Sequence, residues 1–124
     1  MIPRYRAWDS WRKRMSVVDR IYIDTEGVRL YDDFGEYWRD FRDVKLMQST
    51  AFKNKNGKEI FEGDIVKMSK DVYSEPIYYE VVRHSGGAYR LESKQHGCEL
   101  WLRHTDCEVV GNIYENPDLL EDKE

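Results

Sequence analysis

The sequence predicts a mainly β protein, a small barrel or sandwich. Three observations carry the prediction. Runs of β-forming residues recur in lengths of about five, the size of an ordinary strand. Turn signals, among them Glu26-Gly27, Asn56-Gly57 and Gly86-Gly87, punctuate the chain between those runs, as in all-β folds whose strands follow one another at intervals of roughly ten residues. Along VVDRIYID, the parity of Val17, Asp19, Ile21 and Ile23 is more apolar than the other, so that face is expected to point inward. The chain of 124 residues is read as one domain, large enough to bury a core.

Ile2 to Trp8 and Met15 to Ile23 are rich in β-formers and read as a β-hairpin, with Asp9-Ser10 opening the loop. Glu26-Gly27 turns the chain into the strand VRLYDD. Phe34, Tyr37, Trp38 and Phe41 then fall at i, i+3, i+4 and i+7, which predicts a helical turn or two, kept short by Gly35. Strand character returns in VKLMQSTAFK, Val44 to Lys53. Asn56-Gly57 is a hairpin signal, because both residues tolerate positive φ. Ile60, Phe61, Ile65 and Val66 flank Glu62-Gly63-Asp64. Gly63 is expected to adopt a conformation costly for other residues, and Asp64 to accept backbone amides at that corner.

Residues 71–76 read as a loop tolerant of insertion. Ile77 to Arg83, Ala88 to Glu92, Cys98 to Arg103 and Cys107 to Tyr114 read as strands, with turns at Gly86-Gly87 and at 95–97. Asn116-Pro117-Asp118 reads as a helix start: Asn caps, Pro fits the first position, and Asp favours the positive pole. Leu119 and Leu120 dock that short helix, and the charged tail frays.

A net charge of −4 opposes sequence-independent binding to phosphate backbones. A local basic patch nevertheless gathers in Arg4, Arg6, Trp8, Trp11, Arg12 and Arg14, a mixture that suits single-stranded nucleic acid. The competing reading, a strand pair with arginine stems lying over rings, fits the acidic remainder of the chain better. Glu62 and Asp64 share one face if extended, as a pair of acid–base carboxylates would, but no nucleophile or base accompanies them. Gly57-Lys58 lacks a phosphate loop's first glycine and its hydroxyl, replaced by Phe52 and Glu59.

His96, Cys98, His104 and Cys107 are zinc-ligand types. Their spacing matches no common zinc pattern, and a continuous strand from Cys98 to His104 would hold those two side chains about 20 Å apart. The two cysteines read as half-buried thiols in neighbouring strands, and His84 as a loop residue facing solvent. No cofactor is expected. No apolar run is long enough to span a membrane, and MIPRYRAWD lacks the apolar core of a secretory leader, which places the chain in the cytoplasm.

Three blocks give the chain a resemblance to the YopX family of bacteriophage and prophage proteins. The first is Ile2 through Asp9, including Trp8, with Met15 following. The second is Leu46-Met47-Gln48 and then Lys53 through Val66, holding Asn56, Gly57, Glu62, Gly63 and Asp64. The third is Glu108 through Leu120, holding Gly111, Asn116 and Pro117. The family usually carries an aromatic residue at 49 and Gly-Leu at 51–52; here stand Ser49, Ala51 and Phe52, and the lost glycine bears on the strand bend before the hairpin.

The resemblance implies a mainly β protein with an SH3-like barrel in its C-terminal half. With the elements read above, the expected organisation is an N-terminal β-hairpin and aromatic segment, 1–45, packed on an SH3-like small β-barrel portion, 46–114, followed by a short helix and tail, 115–124. The resemblance also implies a bacterial host cell and no reaction. The expected function is non-enzymatic: binding a protein partner or a second copy, because Trp11, Tyr37, Trp38 and Trp101 are hard to bury together in so small a domain. Nucleic-acid binding through the arginine–tryptophan patch is the alternative.

Overall fold

The structure, a computed structural model, describes residues 4–69, 73–94 and 96–121. Its contacts divide the chain into two compact units, Met1–Ser49 and Thr50–Glu124. Ile2 and Pro3, part of the loop expected at 71–76, Gln95 of the turn at 95–97 and the tail from Asp122 lie outside the described residues.

In the first unit β1 (Tyr5–Asp9), β2 (Arg14–Tyr22), β3 (Gly27–Asp32), β4 (Gly35–Asp40) and the first part of β5 (Val44–Lys53) form an antiparallel sheet in the order β4-β3-β2-β1-β5. Ala7, Val28, Leu30 and Val44 are its buried core, with Val18, Ile21, Tyr37 and Phe41 packed against them. The β1–β2 hairpin forms at the expected place.

Two expectations fail in this unit. The inward parity of β2 is not Val17, Asp19, Ile21 and Ile23. The register slips between Val18 and Arg20, so Val18 faces the core on one side of the bulge and Ile21 on the other. An extra residue in one strand switches which parity points inward. Val17 and Ile23 are left exposed.

The helical turns expected over Phe34 to Phe41 are instead a tight turn, strand β4 and a 3-10 turn at Phe41–Asp43. The Phe34 amide donates to Asp32 Oδ1 at 2.8 Å, and Gly35 at φ +127° reverses the chain. All of β4 can then pair with β3, and six cross-strand partners outweigh a four-residue aromatic coincidence. Tyr37 joins the core, whereas Trp38 lies on the other face against Tyr22, ring centroids 5.4 Å apart.

In the second unit the end of β5 pairs with β6 (Glu59–Phe61). The chain then runs through β7 (Asp64–Ser69), β8 (Pro76–Arg83), β9 (Tyr89–Glu92) and β10 (Gly97–Glu99) to the one-turn helix α1 (Leu100–Arg103). A 3-10 turn at His104–Asp106, β11 (Glu108–Asn112) and a 3-10 turn at Pro117–Leu120 follow. Five strands form an antiparallel sheet in the order β10-β9-β8-β7-β11. It is an open sheet: among the described residues no ladder joins β10 to β11, so the strands do not close into a barrel. Ile60, Val66, Met68, Tyr79, Val81, Leu91, Leu100 and Cys107 form its buried core.

The strand expected from Cys98 to Arg103 ends at Glu99. Its partner β9 begins at Tyr89, so after the pair Glu99 and Arg90 only one residue remains to bond. The chain coils instead, burying Leu100 and leaving Trp101 and Leu102 exposed. The C-terminal helix is a single 3-10 turn, and its Asn116 makes no capping bond. The Asn116 side chain turns back over Gly111, where a Cβ would collide with it, and its Oδ1 lies 3.3 Å from the Asn112 amide.

At the bend before the β5–β6 hairpin, Ala51 holds φ +67°, the left-handed region that costs an alanine about 1 kcal/mol relative to glycine. Thr50 knits this bend by donating to the Ile60 carbonyl at 2.7 Å and accepting the Phe52 amide at 3.2 Å. The bend is therefore kept without a glycine. Ala51→Gly should raise stability by about 0.5–1 kcal/mol, read as a higher urea midpoint at unchanged m-value.

Candidate functional site

Among the described residues six polar ones are buried: Asp9, Ser16, Thr50, Asn54, Asp64 and Asn112. A buried side-chain oxygen is costly unless bonded, so its partners reveal its work. Asp9 Oδ1 accepts the amides of Trp11 at 2.9 Å and Arg12 at 3.3 Å, and its carboxylate lies 3.2 Å from the Arg39 guanidinium. The β1–β2 turn is thereby tied to β4. Asn54 Oδ1 accepts the amides of Asn56 and Lys58, both at 2.9 Å, holding the loop in which Gly57 sits at φ +80°.

Asp64 Oδ2 accepts the Phe61 amide at 2.8 Å across Gly63, whose φ is +86°. Gly63 also bonds to both of its neighbours in the sheet, its amide to the Val81 carbonyl and its carbonyl from the Ile113 amide, each at 2.9 Å. Asn112 Oδ1 accepts the amides of Tyr114 and Glu115. Asn54, Thr50 and Asn112 were missed by sequence reasoning. The signal was present: a short polar side chain where a strand ends and a turn begins.

The basic patch is split. Arg6 and Trp8 alternate with the buried Ala7 and Asp9 along β1 and so lie on the opposite face. Arg12 and Arg14 instead reach the β3–β4 turn, where their guanidinium groups lie 3.3 and 4.0 Å from Asp32 Oδ2. Arg12 and Arg39 stack on the Tyr37 ring at 4.8 and 4.7 Å, and Arg14 on Phe34 at 4.6 Å. Tyr37 itself shares a 2.6 Å hydrogen bond with Ser16. Two hairpin tips thus sit side by side and present Trp11 and Phe34, 73% and 75% exposed, amid arginines.

Two of the metal-type residues, His104 and Cys107, are otherwise engaged. His104 Nδ1 lies 2.8 Å from the Lys53 carbonyl, and its ring packs on Phe52. The Cys107 thiol donates to the His104 carbonyl, and burial pushes that thiol up to about 11. Cys98 and Cys107 are both free thiols. Among the described residues no three His, Cys, Asp or Glu side chains are grouped to hold a metal ion. His84 is exposed at the β8–β9 turn and faces Glu92 at 3.2 Å. Among the described residues no helix is long and apolar enough to cross a membrane.

One carboxyl is strained by its setting. Burial and the nearby charge of Glu62 hold Glu80 above the usual carboxylate range. Glu80 also sits directly across from Glu92 on β9. Glu92 is held below the usual range by its hydrogen bond from Arg90.

Three comparisons place this geometry among known proteins. A family model described as YopX protein matches residues 4–121. The SPbeta prophage-derived protein YopX of Bacillus subtilis (strain 168) is 27% identical over 140 residues, covering 98% of each chain. The crystal structure of protein EF1440 from Enterococcus faecalis superposes with a TM-score of 0.66 at 29% identity, over 98% of this chain and 99% of that one. The crystal structure of Bacillus subtilis yopX gives 0.65 at 27% identity, over 98% of both.

Asp9→Ala strips two amides and the Arg39 guanidinium of their acceptor and should cost about 2–3 kcal/mol in urea unfolding. Gly63→Ala should cost more than Asp64→Asn, about 1–2 kcal/mol against roughly 1, because asparagine keeps an acceptor while alanine is forced to positive φ. For Glu80 the folded pKa is raised, so its contribution favours the fold below the unfolded pKa and is lost as pH rises through the folded value. Glu80→Gln should therefore raise Tm at about pH 7, with the gain fading toward about pH 4.

Proposed function

The chain belongs to the YopX family, and on that premise we propose that it is a non-enzymatic prophage accessory protein that grips a protein partner through the paired hairpin tips of its first unit. One observation carries the reading: Trp11 and Phe34 stand largely exposed beside Arg12 and Arg14. Tryptophan and arginine are the side chains that dominate binding energy where proteins meet, and a buried position would serve a folding role better.

Catalysis has less support. Asp9 and Asp64, two buried carboxylates, each direct one oxygen onto backbone amides of the adjoining turn. Nucleic-acid binding also has less support, since Arg12 and Arg14 share Asp32 and Arg39 is held by Asp9. The free thiols favour a reducing compartment, the cytoplasm of a bacterial host. The order β10-β9-β8-β7-β11, with a 3-10 turn leading into a last strand that returns beside β7, supports an SH3-like reading of the second unit as a partly open relative of that barrel.

The reading is tested by capture from lysates of bacteria that carry the phage. The wild type should retain a partner that the Trp11→Ser/Phe34→Ser double variant loses while keeping its Tm. An unchanged set of captured proteins would overturn the proposal. A low-salt gel shift with single- or double-stranded DNA would point to the alternative.

A further inference from the structure

We propose that the partner is a second copy of this chain, whose basic and aromatic hairpin tip seats in an acidic, apolar-floored groove of the second unit. This rests on the protein-binding reading above and names its occupant.

The groove, about 760 Å3, opens between β8, β9 and the 3-10 turn at Pro117–Leu120. Tyr78, on the same face of β8 as Glu80, and the half-buried Leu119 and Leu120 supply an apolar floor. Glu80, Glu92 and Glu121 stand along it with one cation, Lys94. Glu92 is already satisfied by Arg90 at 2.9 Å and His84 at 3.2 Å. Glu80 is not: it faces Glu92 across the ladder and forms no ion pair among the described residues. Like charges directly opposite in a sheet are destabilising, and an incoming cation relieves them.

The tip has the complementary surplus. Arg12 and Arg14 share one carboxylate, Asp32, and Lys13 forms no ion pair among the described residues. The backbone holds Lys13 out at φ +53° in the turn. The same asymmetry marks the whole chain. Residues 1–49 hold ten basic and nine acidic side chains, whereas residues 50–124 hold ten basic and fifteen acidic ones. Trp11 and Phe34 bring the rings that an apolar floor accepts, flanked by the cations that an acidic rim accepts.

Tip and groove are different surfaces, so the contact is heterologous. Each copy offers one of each, and assembly proceeds head to tail into a ring or an open chain. Its charges are partly exposed, so salt weakens it.

Sedimentation equilibrium of the full chain tests this, from about 10 μM to about 1 mM. The wild type should associate with concentration in about 0.05 M NaCl, and about tenfold more weakly in about 0.5 M. A tip variant, Trp11→Ser/Lys13→Glu, and a groove variant, Glu80→Lys/Glu121→Lys, should each stay monomeric. Mixed in equal amounts they should form dimers and stop, because one intact tip and one intact groove remain between them. All four substitutions fall at exposed or half-buried positions, and recovery in the mixture itself shows that both variants are folded.

A wild type that is monomeric throughout overturns the second-copy inference, as does a mixture that stays monomeric or single variants that associate like the wild type. If such a monomer still captures a lysate protein through Trp11 and Phe34, the protein-binding reading stands alone. If the tip variant keeps every captured partner, that reading fails too.

Discussion

A backbone amide at a chain reversal loses its ladder partner, and this small β protein supplies the missing acceptor from buried side chains. At a reversal the ladder partner is gone, and a lost bond in the interior costs about as much as the net stability of several surface contacts. Asp9, Asn54, Asp64 and Asn112 each stand at the end of a strand or the start of the next, and each turns an oxygen onto amides of the adjoining turn. Thr50 does the same at the β5 bend. The two cores are modest, so these fixed corners decide which strand lies beside which.

That use of carboxylates bears directly on function. An acid that accepts amides at 2.8–3.3 Å has its geometry set by the turn. Asp64 beside Glu62 resembles a catalytic pair in one dimension and a corner brace in three. What the fold leaves uncommitted is different chemistry: tryptophan and phenylalanine at two hairpin tips, and an acidic groove elsewhere in the chain.

Most strands could be read from the sequence because their β-formers are bounded by residues with strong turn preferences. Val44–Lys53 matches its expected span, and Asp64 meets the Phe61 amide at the corner where the sequence places it. The misreadings have one physical source, pairing that local patterns do not encode. Phe34 to Phe41 carries a helical spacing, yet β3 offers it six partners. β2 carries a clean alternation, yet one bulge opposite β3 inverts it. Cys98 to Arg103 is composed like a strand, yet β9 is too short to extend it. The basic patch looked continuous because sequence order ignores the alternation along β1 that separates Arg6 and Trp8 from the hairpin tip. Asp32, which neutralises part of that patch, lies eighteen or more residues away in the chain and only the β2–β3 pairing brings it near.

Side-chain oxygens hold the turn amides closed. Residue-resolved hydrogen exchange reads it directly at Trp11, Lys58, Phe61 and Glu115, amides whose acceptors are Asp9, Asn54, Asp64 and Asn112. Protection approaching that of neighbouring ladder amides in β5 and β7 is the result this account predicts. Exchange at the rate of open loops, with the ladders still protected, would contradict it and leave the buried acids free for another role.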